Sequence, residues 1–302
     1  MSKAKLTFLG TGTSQGVPII GCRCPVCSSQ DPHDKRLRAS ALVEYGGLTI
    51  LVDAGPDFRT QMLRAGVSHL DAILLTHNHM DHTGGLDDVR ALNYIDRKAV
   101  HIYCEEKVLN TLKIMFGYAF AENKYPGSPE WRIHLIDDSP FAVMPTGSGE
   151  LVWMHDQGYC TRMPDGSIVP CGNDIVSNAQ APSEDALEAG GVKVIPIRGY
   201  HDRMPVLGFR FGDIAYITDM SSIPEEEMYK LKGLMHLTLN TVSYHPHHSH
   251  FSLSEAVALA ERIGAGHTWL THLSHTFPTH GQFDRELPDG ISPAYDGLVI
   301  ED

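Results

Sequence analysis

The sequence predicts an α/β protein in which two strand-rich halves, each closed by helical segments, place two sheets together with helices outside. Three observations predict it. Short β-prone runs recur between glycine turns, helical stretches carry cap residues at both ends, and histidines and aspartates gather just after apolar runs. Loops mounted on a rigid sheet commonly carry function, so the last pattern also locates the chemistry. A length of 302 residues admits one large domain or two small ones. With no convincing internal repeat, low-complexity tract or Gly/Ser linker, residues 1–302 read as one domain.

Leu6 to Leu9 reads as the first strand, running into Gly10-Thr11-Gly12-Thr13-Ser14-Gln15-Gly16. That loop has neither the lysine of a phosphate loop nor dinucleotide-binding spacing, so it is expected to be a flexible turn beside the active site. Ala41 to Tyr45 and Leu48 to Val52 flank Gly46-Gly47, the chemistry of a two-residue hairpin turn. Asp53-Ala54-Gly55 ends the second strand. Asp57 is placed to cap a helix from Phe58 to Ala65, closed by Gly66, and Asp71 starts the strand Ala72-Ile73-Leu74-Leu75. From about Glu105 to Leu187 the pattern is less regular, with five prolines from Pro126 to Pro164, and an elaborated insertion is expected.

Val192 to Ile197 reads as a strand ending near His201, and Phe209 to Ile217 as a hairpin turning at Gly212, with Asp219 just beyond. Leu237 to Val242 is strand-like. Ser252-Leu253-Ser254-Glu255 has the form of a capping box, and Leu253, Val257 and Ala260 share one face of the helix that follows. Gly264 and Gly266 stop it. A last strand, His267 to Thr271, delivers His272-Leu273-Ser274-His275.

Apolar residues at 42% suffice for a substantial core, while no run approaches the roughly 18 apolar residues of a membrane span. The first residues lack the apolar core and cleavage site of a secretory signal, so a cytoplasmic location is expected. A net charge of −13 argues against extended nucleic acid as a partner, yet a local cluster of metal cations and histidines can still hold one phosphate.

Thr76-His77-Asn78-His79-Met80-Asp81-His82 packs three histidines and an aspartate into six positions at a strand end. Imidazole nitrogens suit zinc, iron or manganese, and a carboxylate among them favours a site that activates water. His77 and His79 point to one ion and Asp81 and His82 to a second, because so short a loop cannot easily wrap all four around one centre. This HxHxDH run, preceded by an apolar strand and followed by Thr83-Gly84-Gly85-Leu86, resembles the metallo-β-lactamase superfamily of binuclear hydrolases. The resemblance implies a four-layer αββα sandwich. It also implies that His201 completes the first site, His272 the second, and Asp219 bridges two divalent ions, with Mn²⁺, Zn²⁺ or Fe as candidates. Asp53 reads either as a carboxylate orienting a ligand histidine or as a strand-ending turn residue.

Cys22-Arg23-Cys24-Pro25-Val26-Cys27 is too tight for an ordinary disulfide framework and close to a metal knuckle, to which His275 could add a fourth ligand for a structural Zn²⁺. Cys104, Cys160 and Cys171 read as free thiols, with pairing or metal binding by Cys160 and Cys171 left open. GCxCxxC, THxHxDH, Thr218-Asp219 and THxSH over Thr271 to His275 together are similar to the PhnP-type phosphodiesterases. That resemblance implies hydrolysis of a small cyclic phosphodiester, phosphoribosyl 1,2-cyclic phosphate or a similar compound, by metal-bound hydroxide. It further implies a mobile histidine as general acid, a role that an imidazole pKa near neutrality would allow. His250 best matches the position and His248 is second, while Asp81 counts among the catalytic residues as well as the ligands. A homodimer is expected by family analogy. Alternatives are a tRNase Z-like RNA 3′-processing endonuclease, a lactonase or thioesterase-like hydrolase, and a noncatalytic metal-binding scaffold.

Overall fold

The computed structural model describes residues 3–121, 124–147, 149–154, 158–170 and 176–302. The chain divides into two compact units, Gly46–Lys193 and the combination of Met1–Tyr45 with Val194–Asp302. The first boundary falls in the expected glycine turn, where Gly46 and Gly47 both have positive φ (59° and 86°), a conformation that costs glycine little.

In the Gly46–Lys193 unit, strands Leu48–Val52, Ala72–Leu74, Val100–Cys104, Trp131–Leu135 and Val176–Asn178 pair in that order, all parallel. Strands of this kind read as continuous apolar runs, and Ile50, Leu51, Val52, Ile73 and Leu74 are fully buried. Helix Phe58–Ala65 has the expected bounds, and Gly66 closes it in the left-handed conformation. Asp57 occupies the N-cap position without a side-chain capping bond, because its backbone (φ −87°, ψ 0°) is not the extended conformation that aims a cap side chain back at the first turn.

The region 105–187 departs from the irregularity expected of it. It contains helix Glu106–Met115, strand Trp131–Leu135 within the parallel sheet, and an antiparallel ribbon of Glu150–Met154, Gly158–Arg162 and Ile168–Pro170. Pro126, Pro129, Pro140, Pro145 and Pro164 all lie outside those elements, so they punctuate regular structure rather than replace it. Trp131 is fully buried against Phe116 and Phe120. Cys171 lies outside the described residues, as does any pairing between it and Cys160.

In the other unit, Ala4–Gly10 pairs antiparallel with both Ser40–Tyr45 and Val299–Glu301. A second set starts with the antiparallel strands Val192–His201, Met204–Phe211 and Ile214–Tyr216 and continues, parallel, through His236–Asn240, His267–Thr271 and Ile291–Pro293. Parallel neighbours need a crossover, and helix Leu253–Ile263 provides one between His236–Asn240 and His267–Thr271. Its capping box is complete, a feature worth about 1 kcal/mol, and Gly264 ends it. Ala256 and Ala260 face the core, with Leu253 and Val257 packed at its margin beside Leu237, Leu239 and Leu270.

Candidate metal centre

In the Gly46–Lys193 unit, the strand Ala72–Leu74 ends just before Thr76, and the chain folds into one helical turn, Met80–Thr83. Asp53, fully buried and with φ of 61°, holds this segment. Its Oδ1 accepts from the Thr76 amide at 2.9 Å, and its Oδ2 accepts from the Thr76 hydroxyl at 2.8 Å and lies 2.7 Å from His82 Nδ1. Because a carboxylate only accepts, His82 is fixed with its proton on Nδ1 and Nε2 as its ligand atom. Thr76 Oγ1 is also 2.9 Å from His77 Nδ1, and since the hydroxyl proton goes to Asp53, His77 donates there and likewise offers Nε2. The His77 ring centre is 4.6 Å from that of His79 and 4.2 Å from that of His82, and Asp81 Oδ2 is 3.3 Å from His82 Nε2.

The backbone is laced as closely. Ala54 donates to the His82 carbonyl and Gly85 to the Ala54 carbonyl, both at 2.8 Å. A Cβ on Gly55 would stand 2.0 Å from the Asp81 carbonyl oxygen, so only glycine fits this approach.

In the other unit, His201 ends a strand, Asp219 and His272 follow strand ends, and His250 precedes the capped helix. Asp219 and His272 both adopt φ of 57°, a left-handed conformation uncommon for residues with a side chain and frequent at functional sites. His201 Nδ1 donates to the Asp219 carbonyl at 3.1 Å, again leaving Nε2 as the ligand atom. Thr218 donates its hydroxyl to Asp219 Oδ2 at 2.6 Å, while Oδ1 faces His272 Nε2 at 3.1 Å and His250 Nδ1 at 3.9 Å. Asn240 clamps Met220 through its amide and carbonyl, each at 2.9 Å, and the Met220 carbonyl accepts from the amide of Phe251, next to His250.

His250 is buried between His201 and His272, with ring centres 4.6 and 4.7 Å away, and together with His201 and Asp219 it offers atoms within ligand distance of one another. Burial, and next the neighbouring His272, push its imidazole down to about 3. His248 is exposed, its ring stacked on that of His247 at 4.6 Å. The Gly10–Gly16 loop is joined to the residue after His272, with the Thr11 carbonyl accepting from the Leu273 amide at 2.8 Å.

Cys22, Cys24 and Cys27 converge on His275, their sulfurs 3.3, 3.5 and 3.6 Å from its Nδ1. A tetrahedral zinc with ordinary Zn–S and Zn–N bonds separates such atoms by about 3.5 Å, so the four residues fit that ion. The Cys24 thiol is lowered to about 6, first by the Cys27 amide, whereas burial raises Cys27 to about 11.

The β-lactamase superfamily domain matches residues 49–162 and 167–273. The crystal structure of a diphosphatase from the PhnP family is 38% identical, spans 100% of this chain and 98% of its own, and superposes with a TM-score of 0.77. The chain belongs to the PhnP family of the β-lactamase superfamily. With membership go the α/β metallo-β-lactamase fold, a hydrolase ancestry and the use of divalent metal. An octanoyltransferase of Porphyromonas gingivalis is 36% identical over 294 residues, 96% of this chain and 50% of that protein. A ribonuclease Z of Bradyrhizobium diazoefficiens is 40% identical over 83 residues, 27% of this chain and 22% of that protein. The chain thus spans half the length of the first relative and under a quarter of the second.

The PhnP-family motifs therefore fall into three places: His77, His79, Asp81 and His82 in one unit, His201, Asp219, His250 and His272 in the other, and the cysteine cluster with His275 also in that second unit. Thr76 and Thr218 stand in the motifs but carry an orienting role that the sequence reading did not assign, and Asn240, which holds Met220, stands in no motif. The signal was present, since threonine directly precedes a candidate ligand in Thr76-His77, Thr218-Asp219 and Thr271-His272. Among the described residues, no helix is long and apolar enough to cross a membrane.

Proposed function

We propose that the two ligand sets act together, within one hydrolase domain, as a binuclear centre that cleaves a small phosphodiester, a cyclic one in the first instance. The observation that carries this reading is the tautomer control: His77, His82 and His201 are each fixed through Nδ1 so that Nε2 is the ligand atom. Polar loops rich in histidine have no reason to be so ordered. His77, His79 and His201 would hold one ion, Asp81, His82 and His272 would contribute to the other, and Asp219 would be shared. Paired divalent ions, when bound, supply Lewis-acid activation of water and neutralise charge on a phosphate.

The protein's own part is to orient and to move a proton. Asp53 and Thr76 fix His82 and His77, Thr218 holds the Asp219 carboxylate, and Asn240 holds the backbone of Met220 beside it. His250, beside Asp219 and His272, is positioned to donate to the departing oxygen, and a phosphate's negative charge in the site would favour its protonated form. Cys22, Cys24, Cys27 and His275 would hold a structural zinc.

A second reading is hydrolysis of a diphosphate, favoured because the 38% identical PhnP-family structure is that of a diphosphatase. Assays of metal-loaded protein on small cyclic phosphodiesters, linear phosphodiesters and diphosphates test both readings. Turnover of a phosphodiester supports the first, and turnover restricted to diphosphates replaces it with the second. Loaded protein inert on all three classes would overturn both.

A further inference from the structure

The Gly46–Lys193 unit contains a cavity of about 220 Å³ away from its histidine cluster. His101 and Arg132 are in register with Ala72 on neighbouring parallel strands, five residues before His77, so up to roughly 16 Å of strand separates the cavity from the cluster. Strand alternation sends Val100 and Ile102 into the apolar core and His101 to the opposite face, where it meets Arg132. Lys98, Thr146 and Thr161 complete the polar part of the wall.

The cavity's chemistry is out of keeping with the chain. In a protein of net charge −13, the wall includes a lysine, an arginine and a histidine and no carboxylate. Among the described residues the Arg132 guanidinium makes one hydrogen bond, to Thr161 Oγ1 at 3.3 Å, leaving most of its five donors uncommitted. His101 Nδ1 is buried without a hydrogen-bond partner, a condition that native interiors normally relieve with water or a ligand. Asp71, the nearby acid, is already engaged by His69 Nε2 at 3.1 Å, the Thr49 amide at 2.9 Å and the Thr146 amide at 3.3 Å. The space is below the roughly 300–1,000 Å³ of pockets for drug-sized ligands, so the occupant is small.

We propose that this cavity binds the phosphate group of a small anion, with Arg132 as the principal donor and Lys98, His101 and Thr161 in support. Arginine suits the role because its planar fork matches phosphate oxygens. Such a site lets the enzyme hold a phosphate compound independently of its metal centre, and free phosphate and a phosphate monoester share the chemistry required.

The test is equilibrium dialysis of metal-loaded protein against labelled inorganic phosphate and, separately, labelled glycerol 3-phosphate, for wild type, Arg132→Gln and Lys98→Gln. The expected result is a class of sites weakened about tenfold or more by Arg132→Gln and less by Lys98→Gln, in protein of unchanged melting temperature. The ligand held more tightly by wild type identifies the source of the phosphate. Identical binding by wild type and both variants overturns the proposal. Should Arg132→Gln fail to fold, Lys98→Gln carries the test alone, because Lys98 is only partly buried at the rim, and unchanged binding of both ligands there overturns it as well.

Discussion

In the Gly46–Lys193 unit four candidate ligands occupy six consecutive positions, with His82 held by Asp53 directly and His77 through Thr76, whereas in the other unit His201, Asp219, His250 and His272 come from four separate segments. The contiguous set is positioned by local backbone: the interlocked amides of Ala54 and Gly85 and the close approach of Gly55. The dispersed set is positioned by left-handed residues beyond strand ends and by Asn240, at the end of its strand, holding the loop at Met220. A single loop can be set by a few bonds. Convergence of four segments requires the surrounding sheet to be correct first.

That contrast can be broken by substitution. Asp219→Asn should have the largest effect, abolishing measurable turnover and lowering retained metal by elemental analysis, because Asp219 faces both His272 and His250. His250→Ala should cost roughly 10² to 10⁴ in turnover with metal content intact, if its role is proton donation. Loss of metal along with turnover would instead place His250 among the ligands. Asp53→Asn should weaken metal binding by about 10 to 100-fold in competition with a chelator, since it removes the acceptor that fixes His82. The smallest change, Gly55→Ala, replaces no ligand side chain, yet should lower stability by about 1 to 3 kcal/mol in denaturant unfolding by pushing the backbone carbonyl of Asp81 away. Were Gly55→Ala neutral, the picture of a tightly laced first loop would fail.

The same contrast explains what could be read in advance. The Thr76 to His82 run was legible because its ligands are neighbours in the chain, and the helices Phe58–Ala65 and Leu253–Ile263 were legible because glycines and a capping box mark their ends. Asp53, open between two roles, is resolved by its 2.7 Å contact with His82. Asn240 was not legible, because its role arises only when the strand His236–Asn240 lies beside the chain at Met220. Trp131–Leu135 was hidden among prolines, and its place in a sheet depends on pairing with Val100–Cys104, a contact that local periodicity does not record. The surroundings of His250 were not legible either, because its burial and its contacts with His201 and His272 come from segments far away in the chain.

The cysteine knot has a bearing on handling and on cellular metal supply. His275 is only three residues beyond His272, so whatever anchors the former also tethers the latter's backbone to the amino-terminal segment. Loss of the proposed structural zinc would loosen that tether, and oxidation of the half-buried Cys22 and Cys24 sulfurs would do the same. On the proposed metal complement, recovery after chelation would depend on order of addition, with zinc for the thiols first and the ions of the histidine sets second.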